Sequence, residues 1–436
     1  MTNDVGPEPG VLVLFHDPSG AVIGNATTGA NGKVTQLLAP NSQVTAVLQG
    51  PLGMAFTTIQ GVQPGDTLTA FDGTNPTLAG SSVNVNFMPL DAGAPDATTF
   101  VATIGATNGS SSTSPVTVNG VHFPSEIGGT CPVLLLAGTP TGEPGYTYGS
   151  GYMLPLDGGP ATVTITNPWV HDENAPAFTL TNTPTALSDA GFASYAIEYG
   201  EISGNVPTTQ TVLAQPAADG GYLATFNGHP SYPDSIQVEG TVRQDLPNPA
   251  LIANVYETMI AVANRSPADA AANVIDMSQA LPEIVSSALD ATEAGTSAQP
   301  IITWKSLGSL AATDGLVVIN FFKLTFGDGG VVSSVPWSIV LPPSATSATP
   351  PALPASVGTP SVITTNQYLV PTVMAVEASY LANYAQMRQA AATIVPTIDR
   401  FNVSYQQFQN VGSGPVAPTL PVDGTLRLTA VTYSGD

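Results

Sequence analysis

The sequence predicts an all-β chain, and three observations carry that prediction. Asp-Gly pairs begin at Asp72, Asp157, Asp219, Asp314, Asp328 and Asp423, and Asn-Gly pairs at Asn31, Asn108, Asn119 and Asn227. Such pairs accept the positive φ angles of the tight turns that join antiparallel strands. Between them lie short segments of strand character, several alternating apolar and polar, such as Val83-Asn84-Val85-Asn86-Phe87 and Ala161-Thr162-Val163-Thr164-Ile165-Thr166. That alternation is the period of a strand with one wet face. Finally, 43% of residues are hydrophobic, and Gly (43) and Pro (40) together stay below the roughly 25–30% typical of low-complexity chains, so there is material for several cores. The expected architecture is a tandem set of antiparallel β-sandwich modules, Ig-like or transthyretin-like, with a few short helices. Soft boundaries divide it at 1–78, 79–178, 179–298 and 299–436.

The first module, about residues 8–75, reads as strand Val11–Phe15, turn Asp17-Pro18-Ser19-Gly20 and strand Ala21-Val22-Ile23. Thr27-Thr28-Gly29-Ala30-Asn31-Gly32-Lys33-Val34, the strand Val44–Leu48 and Gln63-Pro64-Gly65-Asp66-Thr67-Leu68 follow. Gly20 and Gly32 are expected to close two hairpins around a small core. This pattern resembles the carboxypeptidase-regulatory-like, or transthyretin-like, β-sandwich. The resemblance covers about a sixth of the chain and implies a non-catalytic accessory or stalk domain of a bacterial surface protein.

Residues 80–245 continue with strands and Gly/Ser/Thr/Pro loops, and 299–345 returns to strands at Ile301–Trp304, Leu316–Phe322 and Val335–Val340. Leu341–Pro360 is Pro-rich and reads as an extended connector. Two regions favour helix instead. In 248–292, Leu251, Val255 and Met259 fall at helical spacing, and Ser266-Pro267-Ala268-Asp269 has the form of a helix start. In 373–395, the Ala-rich sequence around Glu377, Tyr384 and Arg388 suits a helix, while Val373–Ser379 reads equally as a strand. Asp276-Met277-Ser278, Leu281-Pro282, Trp304, Trp337, Leu341-Pro342-Pro343 and Tyr384…Arg388 together are similar to β-rich surface lipoproteins of predatory soil bacteria, a likeness that implies no known activity.

Charge narrows the functional classes. Eight Lys and Arg face 31 Asp and Glu, giving a formal charge of −23 although only 9% of residues are charged. The acidity comes from missing bases: no Lys or Arg occurs from Val34 to Val242, a stretch of 209 residues. Nucleic-acid binding needs clustered bases against phosphates, and anionic membranes need the same, so both are excluded as expected partners. The charge-free stretch Gly329–Val376 is interrupted by Pro342, Pro343, Pro350, Pro351 and Pro354, so no transmembrane helix is expected. The N-terminus carries no leader pattern, and the single Cys131 cannot form an intramolecular disulfide. Few Lys and Arg also means few sites for trypsin-like proteases. The expected location is the cell surface or the medium, with a leader already removed; the cytoplasm is the alternative.

Motifs for chemistry are sparse. His16, His122, His171 and His229 show no metal-ligand spacing, and His171-Asp172-Glu173 reads as a solvated loop before it reads as a cation site. Cys131, beside Pro132-Val133-Leu134-Leu135-Leu136, reads as a small buried apolar residue. There is no Gly-x-Ser-x-Gly elbow and no phosphate-binding loop. No catalytic residue, metal or cofactor is therefore expected. The candidate ligand site is aromatic: Tyr146, Tyr148 and Tyr152 alternate in an extended segment, with Trp169 nearby. They read first as a cross-strand aromatic ladder and second as a flat platform for sugar rings. The expected function is a structural or adhesive β protein of a bacterial surface, whose partner is a surface protein or a glycan. The alternative is a secreted carbohydrate-binding or polysaccharide-degrading protein.

Overall fold

The computed structural model describes residues 2–3, 6–7, 9–50, 53–69, 81–88, 99–104, 107–121, 130–138, 148–155, 162–166, 170–171, 177–183, 192–203, 206–217, 220–225, 235–246, 254–265, 274–290, 301–306, 308, 315–327, 330–357, 367–391 and 424–432. Within them the chain is all-β, organised around one sheet of 12 strands. In chain order these are β1 (Leu12–His16), β2 (Val22–Thr27), β3 (Ser42–Gly50), β4 (Gly53–Val62), β5 (Phe192–Ser203), β6 (Val206–Leu213), β7 (Ser235–Leu246), β8 (Asn254–Arg265), β9 (Gly315–Gly327), β10 (Gly330–Leu341), β11 (Gln367–Ala378) and β12 (Thr425–Thr432). Across the sheet the order is β6-β5-β7-β8-β12-β11-β9-β10-β4-β3-β1-β2. Every neighbouring pair is antiparallel except β10 with β4, which run parallel.

The turn chemistry explains much of this path. Asp17 Oδ1 accepts from Ser19 N (2.8 Å), Ser19 Oγ (2.6 Å) and Ala21 N (3.0 Å), and Gly20 takes φ +87°, so the β1–β2 hairpin closes as the sequence predicts. Those bonds, the Ser19 hydroxyl foremost, hold the Asp17 carboxyl below its usual range. Gly32 also takes a positive φ (+68°) and closes a turn on Gly29, but residues 33–39 after it form no strand. Gly327 pairs with Gly330, which leaves Asp328-Gly329 as the two-residue connection between β9 and β10.

Directly paired residues share one face of a sheet. The register Gly240, Ile260, Arg427, Glu377, Gly315 therefore traces one face across five strands, β7, β8, β12, β11 and β9. Two smaller sheets lie on that face. One, of Ile284–Asp290, Ile301–Ser306 and Ser347–Ala348, buries Ile284, Ile302, Trp304 and Ala348 against Trp337, Ile339, Val373 and Val431. The other, of Gln215–Pro216, Tyr222–Thr225, Ala177–Thr181 and Val274–Asp276, buries Phe178, Leu180 and Ile275 against Ile197, Val238 and Val242. Gly240 has no side chain because Leu180 and Ile275 occupy the space a Cβ would need. Between the two layers, Arg427 Nη2 contacts Glu377 Oε2 at 2.6 Å and its Nη1 donates to the Gln279 carbonyl at 3.3 Å.

The opposite face is covered by the helix α1 (Tyr384–Gln389), which places Met387 with Ala391 on Ile59, Val340, Met374, Val376 and Leu428. Asn383 caps it, accepting from Gln386 N at 3.1 Å, while Gln386 Oε1 accepts from Ala382 N at 2.7 Å. The Pro-rich connector crosses the first face, extended, with Ala348, Leu353 and Val357 in its core and Ala352 N donating to Gly20 O at 3.0 Å. Two further sheets stand beside this assembly. One has five strands, Val170–His171, Tyr148–Pro155, Thr130–Gly138, Thr99–Ile104 and Thr107–Ser111; the other has three, Val116–Val121, Ser81–Phe87 and Thr162–Ile165. Phe87 and Phe100 meet between them, with ring centroids 4.6 Å apart.

The helical reading of 248–292 is corrected. Residues 254–265 form β8, 274–276 and 284–290 are strands, and only Met277–Gln279 makes a single 3-10 turn, capped by Asp276. The Ser266–Asp269 signal lies outside the described residues. In 373–395 both readings apply in turn: β11 runs to Ala378 and α1 begins at Tyr384.

Candidate functional site

The densest chemistry sits where the N-terminal strands join the rest of the sheet. Phe56, Thr57, Thr58 and Ile59 of β4 pair with Trp337, Ser338, Ile339 and Val340 of β10. Trp337 is fully buried, its ring 4.9 Å from that of Phe56 and tilted by 33°. Its indole Nε1 donates to Thr58 Oγ1 at 2.9 Å. Thr58 Oγ1 lies 2.8 Å from Thr45 Oγ1, which lies 3.0 Å from His16 Nε2. All four side chains are sealed from solvent, forming a polar chain from β10 through β4 and β3 to β1.

Donor rules fix one end of this chain. An indole N–H only donates, so Thr58 Oγ1 accepts from Trp337, while in the Thr58–Thr45 contact either hydroxyl can be the donor. The Thr45–His16 contact takes its direction from the imidazole tautomer, and burial keeps the ring neutral at pH 7. His16 Nδ1 is buried without a hydrogen-bond partner. Burial pushes the His16 pKa down to about 4, against smaller opposing effects of the Gly20 backbone and the Asp17 charge.

The sign of the pH effect follows. His16 binds its proton more weakly folded (about 4) than unfolded (6.5). Its contribution to stability is complete above pH 6.5 and is lost as pH falls through 4. Over that interval the loss amounts to about 3 kcal/mol. His16→Gln, whose side-chain amide can either donate to or accept from Thr45, should flatten the pH dependence of urea unfolding between pH 4 and 6.5 relative to the parent chain. Equal slopes in both proteins would show that His16 is not the titrating group.

A second cluster ties α1 to the same strands from the opposite face. Asp66 Oδ2 accepts from Arg388 Nε (2.8 Å), Arg388 Nη2 (2.6 Å) and the Gln63 backbone N–H (2.7 Å). The guanidinium also lies 5.2 Å from the centroid of the Tyr384 ring, whose hydroxyl donates to Gln60 O at 2.8 Å. The ring fills the space above Gly61, where φ is +68°. Burial raises the Tyr384 pKa, and the Arg388 charge partly offsets it.

The structure separates the residues singled out from sequence. Tyr148 and Tyr152 lie on one strand, Tyr148–Pro155, at positions of the same parity, and Tyr148 pairs in register with His171. Tyr146 and Trp169 lie outside the described residues, as do His122, His229, Asp172 and Glu173. Cys131 lies on strand Thr130–Gly138, paired in register with Leu154. Among the described residues no three His, Cys, Asp or Glu side chains gather as a metal site, and no helix is long and apolar enough to cross a membrane. Sequence reasoning missed the His16–Thr45–Thr58–Trp337 chain because its members lie up to 321 positions apart. The one available hint for the second cluster was the four-residue spacing of Tyr384 and Arg388. Both clusters hold strands together and leave no reacting group exposed. No protein-family model matches this chain, and no curated protein matches it in sequence.

Proposed function

We propose that this chain is a non-catalytic structural or adhesive β protein of a bacterial surface. The observation that carries the reading is the junction of β10 with β4, which joins the N-terminal strands to those of the C-terminal half in one hydrogen-bonded sheet. That junction is gripped from both faces, by the Trp337 polar chain on one and by the Arg388–Asp66 pair on the other. A sheet continuous from β2 to β6 can carry tension through backbone hydrogen bonds, a use consistent with a stalk or a presenting scaffold. Scarcity of Lys and Arg, 8 in 436 residues, suits exposure to proteases. The test is fractionation of cells that express the gene with its native upstream region. Recovery in the envelope or medium supports the reading, and recovery only in the cytosol overturns it.

A glycan-binding role is the second reading, favoured by the placement of Tyr148 and Tyr152 on one strand beside the His171 strand. Retention on a glycan array that falls with Tyr148→Ala would support it. Retention unchanged by that substitution would remove the tyrosine strip from consideration.

A further inference from the structure

Away from the junction, Tyr195 of β5 and Tyr222 of strand Tyr222–Thr225 stack with ring centroids 3.5 Å apart and planes at 17°. Aromatic pairs ordinarily settle with centroids about 4.5–7 Å apart in offset or edge-to-face geometry. This pair is closer and more nearly parallel because its backbone is fixed on both sides. Tyr195 pairs with Val242, and its carbonyl accepts from Ala214 N at 2.8 Å; Tyr222 pairs with Leu180 and Pro216. The two hydroxyls are hydrogen-bonded to each other, so the stacked rings point the same way. Burial, with that hydrogen bond, pushes the Tyr195 pKa up to about 12, so at neutral pH it is a phenol and not a phenolate. Both rings are half-buried at the rim of the core formed by Phe178, Leu180, Ile197 and Val238. They therefore sit between the 12-stranded sheet and the four-stranded one, within reach of an oxidant in solution.

We propose that Tyr195 and Tyr222 form an oxidative cross-linking site, joined by a one-electron oxidant of the peroxidase–peroxide class into a dityrosine that ties the two sheets together. Each phenol loses one electron and one proton, giving two facing phenoxyl radicals. The radicals couple through their ortho carbons, forming one carbon–carbon bond. Each ortho carbon then releases its hydrogen as a proton while its oxygen regains one, restoring both phenols. In total two electrons and two protons leave the protein, and one hydrogen peroxide is reduced to two waters. The inference stands independently of the surface role proposed above.

The test treats the full chain with a heme peroxidase and hydrogen peroxide at low protein concentration. The chain is then digested with a glutamate-specific protease, which cuts after Glu198 and Glu201 and so separates Tyr195 from Tyr222; trypsin would not, because no Lys or Arg lies between them. The expected product is a monomer with dityrosine fluorescence, lighter by two hydrogen atoms, containing a peptide pair that joins Tyr195 to Tyr222. Tyr195→Phe and Tyr222→Phe keep the stacked ring, and therefore the fold, and should each lose that peptide pair. The proposal is overturned if dityrosine forms only between chains, forms only among the other eleven tyrosines, or persists within the chain at unchanged yield in either Phe variant.

Discussion

Asp66→Ala is expected to lower the stability of the intact chain by about 3–5 kcal/mol, because it strands a buried charge. Arg388 is only 4% exposed, and both guanidinium contacts shorter than 3 Å end on the one carboxylate oxygen that the substitution removes. The Gln63 N–H, which donates to the same oxygen, loses its acceptor too. Two features make the effect diagnostic. The double variant Asp66→Ala/Arg388→Met should recover much of the loss, since an apolar pair of similar volume avoids the unpaired charge. Amide exchange should also accelerate first at residues 384–391, because α1 is held by this pair to the turn that follows β4 and by Tyr384 to Gln60 of β4 itself. A urea midpoint unchanged in Asp66→Ala would show that the pair contributes nothing to the fold.

Trp337→Ala is expected to cost a similar amount, about 3–5 kcal/mol, for a different reason. The indole is fully buried against Phe56 in the core that also holds Leu14, Ile302, Trp304 and Val431, and its removal leaves a large cavity. Trp337→Phe separates the packing from the polar chain. It keeps a ring on Phe56 but removes the donor to Thr58, for about 1 kcal/mol. Limited proteolysis supplies the structural readout: cleavage should appear in the segment between β4 and the rest of the sheet before it appears in β9 to β12. If Phe and Ala cost the same, the hydrogen bond rather than the ring volume holds the junction.

How far the fold was legible depends on how local its causes are. The Asp17–Gly20 hairpin is written in four adjacent residues, and Asp328-Gly329 connects β9 to β10 across two. Not every such pair marks a turn. Asn108-Gly109 lies inside strand Thr107–Ser111, where a Cβ on Gly109 would collide with the Thr117 carbonyl. Asn119-Gly120 lies at a register shift in Val116–Val121. There the glycine answers to a neighbouring strand and not to its own backbone. The false helix at 248–292 has a simple origin: a spacing of four keeps Val255 and Met259 on one face of a strand as readily as on one face of a helix. Nothing local could pair β4 with β10, nor bring Asp66 to Arg388. The site of greatest chemical density was thus the least visible, because every contact in it is long-range.

The parallel seam also sets a timetable for the chain's synthesis. β4 ends at Val62 and its partner β10 does not begin until Gly330, about 270 residues later. At about 5–20 residues per second, the ribosome needs tens of seconds to supply that partner. For that time the N-terminal strands exist with the outer edge of β4 unpaired, a template to which a neighbouring nascent chain could add a strand. The stretch without Lys or Arg runs through Val242 and so covers the first part of this interval, during which every charge that emerges, apart from any on histidine, is negative; Arg243, Arg265, Lys305 and Lys323 follow before β10. Mutual repulsion between nascent chains therefore builds up while the edge is open, before β10 arrives to close it.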